Sequence, residues 1–213
     1  MEWTGARYAD GPTAQEAVWI DAPPRTVWRL ASDITLMPRT SAELRSVQWL
    51  DGATGPTLGA RFGGHNQHPS FGEWQTTSYV VECEPGKVFA WAVEDPEVPS
   101  ALWKFTLSED PERGGTLLTQ WVRLGPGRSG LSYAIDRMPE KEQKIVFVRM
   151  KEFEAGMGRT LGALKELAEN TPGASGSPGV SGSPGVSGSP GVSGSPGDSG
   201  SPGESGNPGE ADR

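Results

Sequence analysis

Few residues in this chain are equipped for chemistry, and spacing limits what each can do. His65 and His68 stand three apart in an extended-looking stretch. Alternation along a strand sends them to opposite faces, which is wrong for joint metal binding. No third ligand stands at metal-site spacing beside them, so no metal site is expected and both read as surface histidines. Cys83, the single cysteine, falls mid-strand without a neighbouring histidine, which describes a structural thiol and not a nucleophile. Glu94, Asp95 and Glu97 cluster beside Pro96 and Pro99 as a solvated turn, not an acid–base pair. Arg123 is more informative, because it shares a strand face with Leu117, Thr119 and Trp121. Turned inward, its guanidinium would hold a carboxylate, phenolate or enolate oxygen beside an aromatic ring. Turned outward, it would pair with an acid, and both readings stand open. His65, Asn66 and Tyr133 are further polar candidates for the mouth of a cavity.

Those groups need elements to position them, and the clearest is a helix over residues 139–169. Pro139 suits a first helical position, and Glu140 and Glu142 sit near the positive end of the helix dipole. Val146, Met150, Phe153, Met157, Leu161, Leu164 and Ala168 fall within roughly 80° of arc, an amphipathic stripe. Such a helix is about 46 Å long, more than a compact domain needs for its core alone, so it should lie across a long apolar surface. Gly156, Gly158 and Gly162 each weaken it by about 1 kcal/mol relative to Ala. They either leave room for a ligand, let the helix bend, or allow close packing on a sheet.

Upstream, residues 14–22 read as a strand, 25–32 as a short helix after Pro23-Pro24, and 34–37 as a second helical turn. Residues 44–50, 60–67, 73–84, 88–93, 102–108 and 116–124 read as six strands at hairpin spacing. Gly63-Gly64 predict a bulge or bend within the second of these, and 125–137 reads as a loop. Consecutive strands with short turns imply one antiparallel sheet with helices segregated to one side, an α+β layout.

Composition divides the chain at Pro172. Every Trp, Phe, Tyr and Met, the cysteine and both histidines precede it. The expected organisation is an N-terminal extension (1–13), one domain (14–171) and a low-complexity tail (172–213). The tail carries a net charge of −3, leaving −5 of the chain's −8 to the rest. An acidic domain has no electrostatic footprint for nucleic acid and is repelled by anionic membrane surfaces. A single cysteine excludes a disulfide framework and fits a reducing compartment. With no apolar leader and no stretch of about 18 apolar residues, the expectation is a cytoplasmic protein without membrane insertion. From Gly173 to Gly209 glycine recurs at every third position, thirteen times, the Gly-x-y pattern of three packed polyproline-type chains. Pro occupies only every second triplet, so the tail reads either as a solvated spacer or as a trimerising segment.

Several phrases resemble the polyketide cyclase/dehydrase-like branch of the START-like (SRPBCC) superfamily. They are Ile20-Asp-Ala-Pro-Pro with Val27-Trp28 and Ser32-Asp33-Ile34, then Gly59-Ala-Arg-Phe and Trp74-Gln-Thr-Thr-Ser. Glu84-Pro-Gly-Lys-Val-Phe-Ala-Trp91 and Gly115-Thr116 complete the run, over about residues 14–169. The resemblance implies a helix-grip fold: a curved antiparallel sheet of about seven strands around the C-terminal helix, one or two short helices after the first strand, and an apolar cavity between sheet and helix. Phe89, Trp91, Trp103, Phe105, Trp121, Met150, Phe153 and Met157 would suit such a lining, and would equally fill a plain core. The expected ligand-binding set is Trp91, Trp103, Trp121, Arg123, Tyr133, Met150, Phe153 and Met157, with no catalytic residue and no cofactor assigned. The expected partner is a small hydrophobic or aromatic molecule, lipid-like or polyketide-like. Two alternatives are an aromatase/cyclase-like enzyme, which needs few catalytic groups if it works by holding a chain in a ring-closing conformer, and an assembly protein trimerised through the tail. Otherwise the chain is expected to be a monomer or weak oligomer.

Overall fold

The structure, a computed structural model, describes residues 2–171; the expectations for the Gly-x-y tail lie outside them. A 3-10 turn at Tyr8–Asp10 leads into β1 (Thr13–Ile20), α1 (Pro24–Ala31), a 3-10 turn at Ile34–Leu36 and α2 (Met37–Thr40). Six strands follow: β2 (Leu44–Trp49), β3 (Arg61–His68), β4 (Gly72–Glu84), β5 (Val88–Val93), β6 (Ala101–Glu109) and β7 (Thr116–Leu124). The chain then forms α3 (Gly130–Arg137), a 3-10 turn at Pro139–Lys141 and α4 (Glu142–Glu169). All neighbouring strands are antiparallel, in the order β1-β7-β6-β5-β4-β3-β2. Hairpins build β2 to β7 in sequence, and β1 closes beside β7. This is the helix-grip α+β architecture.

Alternation assigns the faces. On β7 Thr116, Leu118, Gln120, Val122 and Leu124 are buried, while the residues between them are exposed or half-buried. The buried set faces α4, whose Val146, Met150, Met157, Leu161, Leu164 and Ala168 form its dry side. The helix lies mainly along β1 and also packs on α1, α3 and β7. Its ends are tied down by polar contacts. Tyr8 N–H donates to Glu142 Oε1 (3.1 Å) at the first turn. At the last turn Asp21 N–H donates to Glu169 Oε1 (2.8 Å), and Lys165 Nζ to the Trp19 carbonyl (2.8 Å).

The interior is divided. One apolar cluster gathers Phe62, Phe89, Trp91, Phe105, Leu118, Leu161 and Leu164 with α1; the other gathers Ala14, Val122, Leu124, Leu131, Val146, Met150 and Met157. Trp103 and Val93 pack against both.

Two local expectations change. Residues 130–137 are a helix, α3, and not loop: Leu131 is buried, and Ser129 N–H donates to Ser132 Oγ (3.1 Å) at its start. The bulges lie not at Gly63-Gly64 but in the flanking strands, between Leu44 and Ser46 and between Val80 and Glu82. Gly64 serves a different need. A Cβ there would stand 3.0 Å from Leu44 Cδ1 and 3.1 Å from Thr76 Oγ1, so the glycine permits close approach of its neighbours' side chains.

Candidate functional site

The concave face carries an aromatic row. Trp91 and Trp103 are register partners on β5 and β6, and their rings stack at 6.2 Å with 9° between planes. From α4, Phe153 meets Trp103 edge-on at 4.9 Å. One turn earlier on the same helix, the Arg149 guanidinium lies 4.2 Å over the Phe153 ring, within cation–π range.

Arg149 opens onto a polar cluster drawn from three stretches of chain. Its Nη1 and Nη2 donate to Glu43 Oε1 (2.5 Å) and Oε2 (2.7 Å), a fork-on-fork pair with the segment between α2 and β2. Nη1 also donates to Glu152 Oε2 (3.1 Å). The other oxygen of Glu152 lies 3.6 Å from Nε2 of His68, at the end of β3. The Arg149 side chain is 11% exposed, His68 14% and Glu43 23%. Burial works against the charge on Arg149, but the Glu43 hydrogen bonds and charge, and then Glu152, outweigh it and hold the guanidinium above its ordinary value. The cluster thus clasps the middle of α4 to the open side of the sheet, where β2, β3 and β4 lie.

Glu43, His68 and Glu152 also bring one ligand atom each to within 4.8 Å of one another, the arrangement of a metal site. The hydrogen bonds argue for a different occupant. Both carboxylates already hold Arg149, which supplies the cation. The Ser70 N–H donates to His68 Nδ1 (3.1 Å), which leaves the imidazole proton on Nε2, facing Glu152, where a metal would need a lone pair. The donor set fits a guanidinium better than a divalent ion.

The expected site residues separate into two groups. Trp91, Trp103, Phe153, Met150 and Met157 come together between the sheet and α4. Trp121 and Arg123 share a face as expected, but it is the one turned away from α4, because Leu118 and Val122, each fully buried, claim the inside. Arg123 Nε is buried there without a partner. Tyr133 stands on α3, 60% exposed, with Arg128 over its ring at 5.0 Å. His65 pairs with Glu73 (3.5 Å) on the outer face, and Asn66 Nδ2 donates to Thr76 Oγ1 (3.3 Å) on the inner one. Cys83 is half-buried with its thiol pushed up by burial, consistent with an inert role. His68 is not a surface residue, and Arg149, Glu43 and Glu152 were not anticipated at all. The one trace of them in sequence is that Arg149 lies about 40° beyond the Phe153 edge of the apolar stripe.

The concave face is well filled: Phe89, Phe105, Met150, Met157 and Leu161 are each at most 2% exposed. Two hollows among the described residues are lined mostly by other side chains. One, of about 220 Å³, lies between the N-terminal segment and α4, lined by Thr4, Ala6, Pro12, Thr13, Val146, Phe147 and Met150. A more open one, of about 600 Å³, lies along residues 50–61 between β2 and β3.

Residues 12–169 match the family model described as polyketide cyclase / dehydrase and lipid transport. The chain belongs to this family. Residues 168–212 match a second model, the collagen triple helix repeat. Among solved structures, a polyketide-cyclase-like protein from Corynebacterium glutamicum is 30% identical; the match covers 74% of this chain and 91% of that one, with a TM-score of 0.53. The di-domain ARO/CYC BexL is 18% identical (TM-score 0.57), with coverage of 80% and 53%. The di-domain ARO/CYC StfQ from the steffimycin biosynthetic pathway is 14% identical (TM-score 0.56), with coverage of 74% and 50%. The chain spans about half the length of each di-domain protein, and at these identities the likeness is one of fold. No curated protein matches the chain. No helix among the described residues is long and apolar enough to cross a membrane.

Proposed function

We propose that this polyketide cyclase/dehydrase family domain takes up a small hydrophobic or aromatic molecule, lipid-like or polyketide-like, between the concave face and α4. The observation that carries the reading is the aromatic row of Trp91, Trp103 and Phe153, bordered on the open side of the sheet by the Glu43–Arg149–Glu152–His68 clasp. Stacked indoles offer a flat apolar surface to a planar ligand. Met150 and Met157, unbranched and adaptable, can change rotamer to make room. Burying about 200 Å² of apolar ligand surface supplies about 5 kcal/mol at 25 cal/mol per Å². Release of the clasp would free Arg149 and, with it, the Phe153 ring that roofs the row.

Native mass spectrometry of the purified protein tests this directly, followed by titration with planar aromatic probes read by tryptophan fluorescence. The reading expects either a co-purified small molecule or saturable binding in the micromolar range. Absence of both sinks it. A catalytic reading draws on one feature, the His68–Glu152 pair beside the aromatic row, which could move a proton during ring closure. Incubation with a cyclisable poly-β-ketone separates the two: recovery of unchanged, bound ketone leaves binding alone.

A further inference from the structure

The seam between the two apolar clusters holds a polar side chain that the fold does not explain. Gln120 lies on β7 between Leu118, which belongs to one cluster, and Val122, which belongs to the other. Its register partners are Phe105 on β6 and Glu16 on β1, and all three share the concave face. The residue is 6% exposed, and its Oε1 is buried without a hydrogen-bond partner. Such an atom forfeits its hydration on folding and finds no protein partner in exchange. A leucine or methionine here would join the two clusters into one core, so stability alone does not account for a glutamine.

We infer that Gln120 is the polar recognition point of the ligand space and that it accepts a hydrogen bond from a hydroxyl on the ligand. The ligand class is then a phenol, enol or hydroxylated ring system and not a bare hydrocarbon. The position suits the role. Trp103, two residues from Gln120's partner Phe105 on the same face of β6, packs against both clusters and stacks with Trp91. A planar ligand seated on that row would have an edge toward β7. Arg149 cannot take over this recognition, because a guanidinium only donates and its Nη1 and Nη2 are already engaged by Glu43; Gln120 supplies the unengaged acceptor. A hydroxyl placed there satisfies an atom that is otherwise unpaired, whereas a methyl in the same place leaves it buried and bare.

This inference rests on the proposed binding function, and the experiment separates the two. The probes are 2-naphthol and 2-methylnaphthalene, which differ in a hydroxyl against a methyl of similar size. Their affinities are measured by calorimetry or tryptophan quenching for the full chain and for Gln120→Met. Comparing the ratio of the two affinities between proteins cancels the probes' own difference in hydrophobicity. Loss of one neutral hydrogen bond should lower the naphthol-to-methylnaphthalene ratio on the order of tenfold in Gln120→Met. Gln120→Met should also melt no lower than the parent, since it removes an unpaired polar atom, and this shows that the variant is folded. An unchanged ratio overturns the assignment of Gln120 and leaves the binding function standing. A clear fall in melting temperature also overturns it, because the amide would then be serving the fold. Failure of both probes to bind the parent protein overturns the binding function and this inference with it.

Discussion

Replacing Arg149 by Met should reveal whether the clasp is a surface ion pair or part of the interior. The Glu43–Arg149 contact is two-pronged, with side chains 11% and 23% exposed. A fully exposed pair contributes about 0–1 kcal/mol, and truncating one partner of a buried pair costs about 3–5 kcal/mol. At this burial the expected cost of Arg149→Met is about 2–3 kcal/mol, of which loss of the Phe153 cation–π contact is about 0.5–1 kcal/mol. Much of the cost comes from leaving Glu43 and Glu152 facing one another with no cation between them. Glu43→Leu in the same background removes one of those charges, so the double variant should be less destabilised than the sum of the singles by about 1.5 kcal/mol. Urea unfolding of the four proteins, followed by tryptophan fluorescence, gives the cycle. The coupling should survive 1 M NaCl, where screening acts beyond about 3 Å but penetrates little into a buried pair. A coupling below about 0.5 kcal/mol, or one erased by salt, would show an ordinary surface pair and remove the clasp as a barrier. If the clasp does bar the mouth, the double variant should also exchange a bound aromatic probe faster than the parent.

Three further outcomes are expected. At Gly158 and Gly162 an added Cβ meets nothing within 4 Å, so Gly158→Ala and Gly162→Ala should each stabilise α4 by about 0.5–1 kcal/mol; a loss of stability in thermal melts would show that the helix needs them. The Glu169 carboxyl is held below its ordinary 4.5 by the Asp21 N–H and by Lys165. Its contribution to stability is therefore present above that value and lost as pH falls below it toward the depressed folded value. Glu169→Gln should accordingly flatten the acid limb of urea midpoint against pH, and an unchanged limb would refute the linkage. Finally, the tail's thirteen Gly-x-y triplets place Pro in only every second one, and their acidic residues face no lysine. The full chain and a version ending at Thr171 should both sediment as monomers at 25 °C; a trimer lost on truncation would establish the assembly role.

The strands and the long helix were legible because each has one dry face, and alternation or the four-and-three spacing marks it. Where both faces of an element are apolar, the same signal fails. On β7, Leu118 and Val122 alternate with Leu117 and Trp121, and nothing local says which pair goes inside; the aromatic ring drew Arg123 inward with it. Helix α3 is faint in sequence because Gly130 opens it, Pro139 follows closely, and its buried residues are only Leu131 and Ser132, with Ile135 partly buried beside them. Gly63-Gly64 reads in sequence as a backbone signal, but what Gly64 relieves is the crowding of Leu44 against Thr76 across three strands. The clasp was out of reach for a different reason. Arg149 and Glu43 are 106 positions apart, and charged residues at the edge of an amphipathic stripe ordinarily face water.

The same contrast bears on function. Most of the interior obeys the rule that predicted it: apolar side chains at the expected period, closing on one another. Two features break the rule at the boundary between sheet and helix. One is an almost buried arginine held between carboxylates at the open side. The other is a glutamine oxygen, without a partner, on the seam between the two apolar clusters. The glutamine costs stability that an apolar substitute would restore, and the clasp buries charges that only apolar replacement of all its members together would spare. The two also lie on opposite sides of the Trp91–Trp103 row, the clasp toward β2, β3 and β4 and Gln120 on β7 next to the edge strand β1. A domain shaped only for stability has no use for that arrangement. The proposed binding of a flat molecule, admitted past one polar group and oriented against another, would use it.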